Sequence, residues 1–137
     1  DTIDGGADND QVFGGSGDDR VTGGAGDDRA DLGTGNDSFG SWGGEGGNDT
    51  VFGGQGDDSI IGGAGNDVLA GGEGQDTAVF SGPVGDYSFD RGPNGELIVT
   101  DTVEGRDGTD TLDQVEYATF DGVTYRVMTG DGGDNQT

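Results

Sequence analysis

The sequence contains no cysteine, no histidine and no lysine, and only two prolines and one tryptophan. Without cysteine there are no disulfides and no thiolate metal sites to staple the chain. Without histidine the commonest general base and the usual zinc ligand are both missing. The five basic residues, all arginine, face 29 acidic ones, for a formal charge of −24. That balance excludes the basic stripe a nucleic-acid binder needs and repels an anionic membrane surface. No apolar run approaches the ~18 residues of a membrane span, and no signal-peptide pattern is legible at the start. Only 27% of the 137 residues are hydrophobic, while 34 are glycine. Composition alone therefore predicts disorder, and self-repulsion opposes compaction unless cations neutralise it.

What is present is a repeat. The stretch Gly53–Ala70 reads GGQGDDSII and then GGAGNDVLA, two copies of one nine-residue unit: Gly, Gly, any, Gly, Asp or Asn, Asp, any, bulky aliphatic, any. Residues 1–4 match the end of such a unit, and full units begin at Gly5, Gly14, Gly23, Leu32, Gly44, Gly53, Gly62 and Gly71. The sixth position is always aspartate: Asp10, Asp19, Asp28, Asp37, Asp49, Asp58, Asp67 and Asp76. The eighth is Val12, Val21, Ala30, Phe39, Val51, Ile60, Leu69 and Ala78. Asp8, Leu32 and Glu45 replace consensus glycines, and Ser41, Trp42 and Gly43 are an insertion.

Such a period is the mark of a solenoid. Six Gly-rich positions can turn sharply, and the last three suit a very short strand with its middle side chain inward. A circuit of turn, strand, turn, strand takes 18 residues, so consecutive units fall on opposite sheets of a flattened right-handed parallel β-roll. The insertion bulges from one loop, with Trp42 folded over an end or flank of the coil. Phe13, Phe52 and Ile61 point outward and pack against the insertion, the cap or a neighbouring domain.

The roll occupies residues 1–80. Residues 81–129 read as a small antiparallel β cap that covers the open end of the coil. One hairpin spans Asp86–Asp101 around Pro93, Asn94 and Gly95, and a second joins Val115–Phe120 to Val123–Val127 through Asp121 and Gly122. Residues 130–137 form a polar tail or linker.

Alternating glycine and aspartate present oxygen, the ligand that calcium prefers in sets of roughly 6 to 8. In an extended loop, positions two, four and six face one neighbouring loop. These are the carbonyls of Gly15, Gly17, Gly24, Gly26, Gly54, Gly56, Gly63 and Gly65, with the sixth-position carboxylates. Positions one, three and five face the other way: Gly14, Ser16 and Asp18; Gly23, Ala25 and Asp27; Gly53, Gln55 and Asp57; Gly62, Ala64 and Asn66; Gly71, Glu73 and Gln75. An ion between loops 18 residues apart collects three oxygens from each. Asp10 then works with the loop beginning at Gly23, and Asp19 with the loop beginning at Leu32. About six to eight calcium ions would cancel roughly half of the negative charge. Magnesium is too rigid in its demands, and transition metals lack nitrogen or sulfur ligands. Chance G-x-G-x-x-G matches precede no helix, and no 12-residue loop with a terminal Glu sits between helices, so neither a dinucleotide cradle nor an EF-hand is expected.

These units resemble the RTX (repeat-in-toxin) calcium-binding nonapeptides, consensus G-G-x-G-x-D-x-U-x. The stretches DYSF, NGELIVTD and DGTDTLDQVEYATFDG are similar to the capping segments that follow such arrays. The resemblance implies type I secretion to the cell exterior and folding driven by calcium outside the cell. The expectation is a non-catalytic, calcium-dependent structural or accessory domain of a larger secreted bacterial protein, bound to neighbouring domains of its parent. The alternative is a module that binds polysaccharide or a surface, beside an extracellular enzyme or within an adhesin or S-layer protein, through Phe13, Phe52 and Trp42. Catalysis would be left to carboxylate pairs alone, and every patterned aspartate is already assigned to calcium.

Overall fold

A computed structural model describes residues 2–40, 46–93, 95–103 and 106–127. The insertion at 41–43, Glu45, Asn94 and the tail 130–137 lie outside the described residues, so the expectations for Trp42 and for the tail have no structural counterpart.

Nine short strands follow the repeat: β1 Thr2–Asp4, β2 Gln11–Phe13, β3 Arg20–Thr22, β4 Arg29–Asp31, β5 Ser38–Gly40, β6 Thr50–Phe52, β7 Ser59–Ile60, β8 Val68–Ala70 and β9 Thr77–Phe80. Odd and even strands separate into two sheets. One runs β1-β3-β5-β7-β9 and the other β2-β4-β6-β8, with parallel neighbours throughout. The architecture is all-β, a parallel β-solenoid. In β2 and β4 the middle residue is buried between two exposed ones, because a period of two sends alternate side chains to opposite faces. The eighth-position residues from Val12 to Ala78 thereby form one buried ladder between the sheets, each 7% exposed or less. Leu32, which replaces a first-position glycine, joins this core with no exposure.

The insertion leaves the ladder in register. Thr22 pairs with Gly40 across 18 residues, whereas Asp31 pairs with Phe52 across 21, and the strands still match seventh to seventh and eighth to eighth.

Beyond Phe80 come a short 3-10 turn at Val84–Asp86 and five further strands: β10 Tyr87–Arg91, β11 Leu97–Asp101, β12 Thr109–Asp113, β13 Tyr117–Phe120 and β14 Val123–Arg126. β10, β11 and β12 are antiparallel neighbours, as are β13 and β14. Asp121 and Gly122 between the last two both take positive φ, 51° and 79°, as a tight two-residue hairpin turn requires. The segment also continues the coil. β12 pairs in parallel with β8, and β13 in parallel with β9, so Leu112 and Ala118 extend the buried ladder past Leu69 and Ala78. The β10–β11 hairpin is thus inserted into a further solenoid turn. Over the end of the coil sits an aromatic cluster: Phe80 stacks on Phe120 at 4.9 Å, and Tyr87 meets both edge-on.

The cap is tied to the last repeat by buried polar groups. Asp107 accepts hydrogen bonds from the Ser81 amide at 2.9 Å, from the Ser81 hydroxyl and from the Tyr87 hydroxyl. Burial and this bond push the Tyr87 phenol well above its ordinary range. Asp101 is buried, which works to raise its carboxyl. The Arg106 guanidinium at 2.6 Å and the amides of Val103 and Asp107 outweigh that and hold it low.

Candidate metal centres

Each loop of six residues has two positions that only glycine fills comfortably. Gly54 and Gly56 take φ of 94° and 112°, and a Cβ on either would strike the carbonyl oxygen of Gly33 or Gly35 in the loop beneath. Loops therefore stack backbone on backbone. Asp8 stands at the same fourth position with φ 78°. Gly17, the corresponding residue in the second loop, has open space where its Cβ would be, because no described loop lies below it. The first layer thus has room for a side chain.

Stacking orients the carbonyls alternately. Second-position carbonyls face the following loop: Gly6 accepts from the Ala25 amide at 3.0 Å, Gly15 from Thr34 and Gly33 from Gln55. Third-position carbonyls face the preceding loop: Gln55 accepts from the Gly35 amide at 3.0 Å, and Gly46 from Gly26. First-position carbonyls also face back, since the Gly23 and Gly71 oxygens lie 2.7 and 2.6 Å from where Cβ atoms on Gly5 and Gly53 would stand.

The sixth-position aspartates divide their two oxygens between different tasks. Oδ1 reaches back to the amide of the sixth residue one circuit earlier: Asp28 accepts from Asp10 at 2.9 Å, Asp37 from Asp19 at 2.7 Å, Asp67 from Asp49 at 2.8 Å and Asp76 from Asp58 at 2.9 Å. Across the insertion Asp49 accepts from Asp28 and Asp58 from Asp37 in the same way. Oδ2 of Asp10, Asp37, Asp49, Asp58, Asp67 and Asp76 is buried with no hydrogen-bond partner. A buried carboxylate oxygen without a partner carries a steep desolvation penalty.

These orphaned oxygens converge with the backward-facing carbonyls. Around the first-position Cα of Gly53, an added Cβ would lie 2.5 Å from Asp58 Oδ2 and 2.6 Å from Gly71 O. Around Gly5 the same two roles fall to Asp10 Oδ2 and Gly23 O. At these stations the first glycine leaves room for the carboxylate and carbonyl oxygens, where a side chain would collide with both. Among the described residues no group of three acidic side chains is arranged to hold a metal ion by itself. The stations at Gly5, Gly14 and Gly53 instead each offer one carboxylate with a backbone carbonyl, a hard all-oxygen donor set that fits calcium.

Electrostatics point the same way. Burial, reinforced by the like charge of the aspartate one circuit earlier, drives the Asp49 and Asp58 carboxyls up to about 6 and Asp76 to about 7. Burial raises Asp37 as well. Burial raises both Asp67 and Asp110; the like charge of Asp49 adds to the first and that of Asp67 to the second. A cation in the cradle reverses these shifts, because an opposite charge favours the ionised form.

The fifth position has a role that sequence reasoning missed. Its side-chain oxygen reaches forward, to the amide of the fifth residue one circuit later: Asn9 to Asp27, Asp18 to Asn36, Asn48 to Asn66 and Asp57 to Gln75, at 2.8–2.9 Å. The preference for Asp or Asn there was the available signal. Two more missed residues lie beyond the repeats. Asp110 Oδ1 accepts from the Asp67 amide and Glu116 Oε1 from the Asp76 amide, both at 2.9 Å. The spacing of Gly108, Asp110 and Leu112 matches positions four, six and eight and could have disclosed the first. Of the outward apolar residues, Phe13 is 65% exposed, whereas Phe52 lies under the Arg29 guanidinium at 4.8 Å.

A two-sheet parallel coil whose glycine loops hold orphaned carboxylates against backbone carbonyls is a β-roll of the metal-binding kind. The chain belongs to the RTX calcium-binding nonapeptide repeat family, whose model matches residues 4–39 and 43–78 in four copies. No curated protein matches it. Among solved structures it is similar to the extracellular lipase LipA of Serratia marcescens, at 18% identity and a TM-score of 0.41. That likeness covers 86% of this chain but only 16% of the lipase chain.

Proposed function

We propose that this chain is a non-catalytic module that folds on binding calcium and serves as a structural or accessory domain of a larger secreted bacterial protein. The observation that carries this reading is the set of buried, unpartnered Oδ2 atoms of Asp10, Asp58, Asp67 and Asp76, each turned toward the first glycine of its own loop. Asp10 Oδ2 with the Gly23 carbonyl, and Asp58 Oδ2 with the Gly71 carbonyl, would each hold one ion, with second- and fourth-position carbonyls completing the oxygen set. About six to eight ions fill the two edges.

Folding and binding are one event on this reading. Only 27% of the chain is hydrophobic, so the eighth-position ladder cannot offset both chain entropy and a charge of −24. Calcium supplies the missing term. The secreted setting agrees with the family and with a chain that has no thiol to protect. Circular dichroism tests the proposal: in excess chelator the spectrum should be that of a largely disordered chain, and millimolar calcium should restore the β signal cooperatively. A chelated sample with the same spectrum as the calcium-loaded one would sink it.

A further inference from the structure

The loop between β12 and β13 is unlike any other in the coil. It holds three residues, Gln114, Val115 and Glu116, where a repeat has six, and it lies beyond the matched repeats. It nevertheless reproduces both contacts that define a station. A Cβ on Gly71 would collide with the Gln114 carbonyl and with Asp76 Oδ2, just as one on Gly53 would meet the Gly71 carbonyl and Asp58 Oδ2. Gln114 reaches this place by taking φ of 54°, unusual for a residue with a side chain. Glu116 takes the sixth-position role through Oε1, its extra methylene making up reach that the short loop lacks.

Asp76 itself has no solvent exposure, and its Oδ2 has no partner. Asp58 and Glu116 both press negative charge on it, and among the described residues no arginine pairs with it.

We infer that the cap supplies a terminal divalent-cation site, bounded by Asp76 Oδ2, the Gln114 carbonyl and the Glu116 carboxylate. It rests on the calcium reading of the repeats and adds residues outside them. The cap is then a ligand donor as well as a cover, and an ion at this station fastens β13 to β9 at the junction.

The test uses the whole chain and calcium chloride, with bound calcium counted by equilibrium dialysis and affinities taken from titration calorimetry. Glu116→Gln keeps an oxygen for the Asp76 amide but removes the charge. It should leave the calcium-loaded circular dichroism unchanged and weaken one ion by about tenfold. Gly71→Ala fills the cradle and should remove one ion outright. If both variants bind calcium with wild-type number and affinity, Glu116 is only a backbone acceptor and the inference is overturned while the repeat reading stands. A wild-type chain that binds no calcium overturns both.

Discussion

The amide of Asp67 donates to Asp110 Oδ1 at 2.9 Å across 43 residues of sequence, repeating the bond that joins Asp49 to Asp67 across 18. The chain leaves the coil after Phe80, builds a hairpin, and returns to the same ladder one step higher. Thr109 confirms the register, its amide donating to Asn66 Oδ1 as a fifth-position residue would. The family match ends at residue 78, but the geometry of the repeat does not.

Adjacent residues in one loop should separate cleanly. Asp67→Ala removes a carboxylate that faces a cradle, so calcorimetric titration with calcium should show fewer ions and lower cooperativity. Asn66→Ala removes only the acceptor of the Thr109 amide and leaves the Asn66 carbonyl in place. It should keep the ion number and lower stability by no more than about 1.5 kcal/mol. Equal losses in both variants would contradict this division.

Gly54→Ala should be costly in spite of its small size. The backbone there has φ of 94°, and the new methyl would collide with the Gly33 carbonyl. Strain of about 1–3 kcal/mol is expected before the collision is counted. The calcium midpoint of folding, followed by circular dichroism, should move to higher calcium.

Stability without calcium should fall as pH rises. The unfolded carboxyls titrate near 3.8, whereas Asp49, Asp58 and Asp76 in the folded chain are pushed up to about 6, 6 and 7. The folded state therefore binds more protons through this window. Its contribution is full below the lower value and is lost as pH climbs through the upper ones. In chelator, the β signal should be stronger near pH 5 than near pH 8; a stronger signal at the higher pH would refute the assignment. With calcium present the order reverses, since protons compete for the same oxygens.

Asp107→Asn should loosen the cap while sparing the repeats. The carboxylate takes three donors from Ser81 and Tyr87, and an amide would turn an NH2 group toward one of them. A loss of about 1–3 kcal/mol is expected. Near-ultraviolet circular dichroism, which reports Tyr87 and its neighbours, should change before the far-ultraviolet signal does.

The roll was legible because its constraints are local and repeated. Positive φ at the second and fourth positions demands glycine, burial at the eighth demands an apolar side chain, and the sixth demands a short carboxylate. The alternation of sheets follows from nine residues per half-circuit. The continuation through β12 and β13 was harder to read. A hairpin separates Leu112 from Leu69, and the next loop is three residues long with glutamate in place of aspartate, so neither period nor consensus survives. The split of sixth-position carboxylates such as Asp58, Asp67 and Asp76 between a backward amide and a cradle was not legible either. It depends on how loops stack, and no single loop contains that information.

The assignment of alternate units to opposite sheets also governs how such a chain can change length. Deleting one unit of nine residues would transfer every later strand to the other sheet, so that β12 would meet the sheet ending in β9 and the inserted hairpin would open on the wrong face. Deleting two consecutive units restores the same sheets and edges. The three residues of the insertion do neither, since the strands on both sides of it keep their sheets and register. Gain and loss of units in this molecule is therefore quantised in pairs.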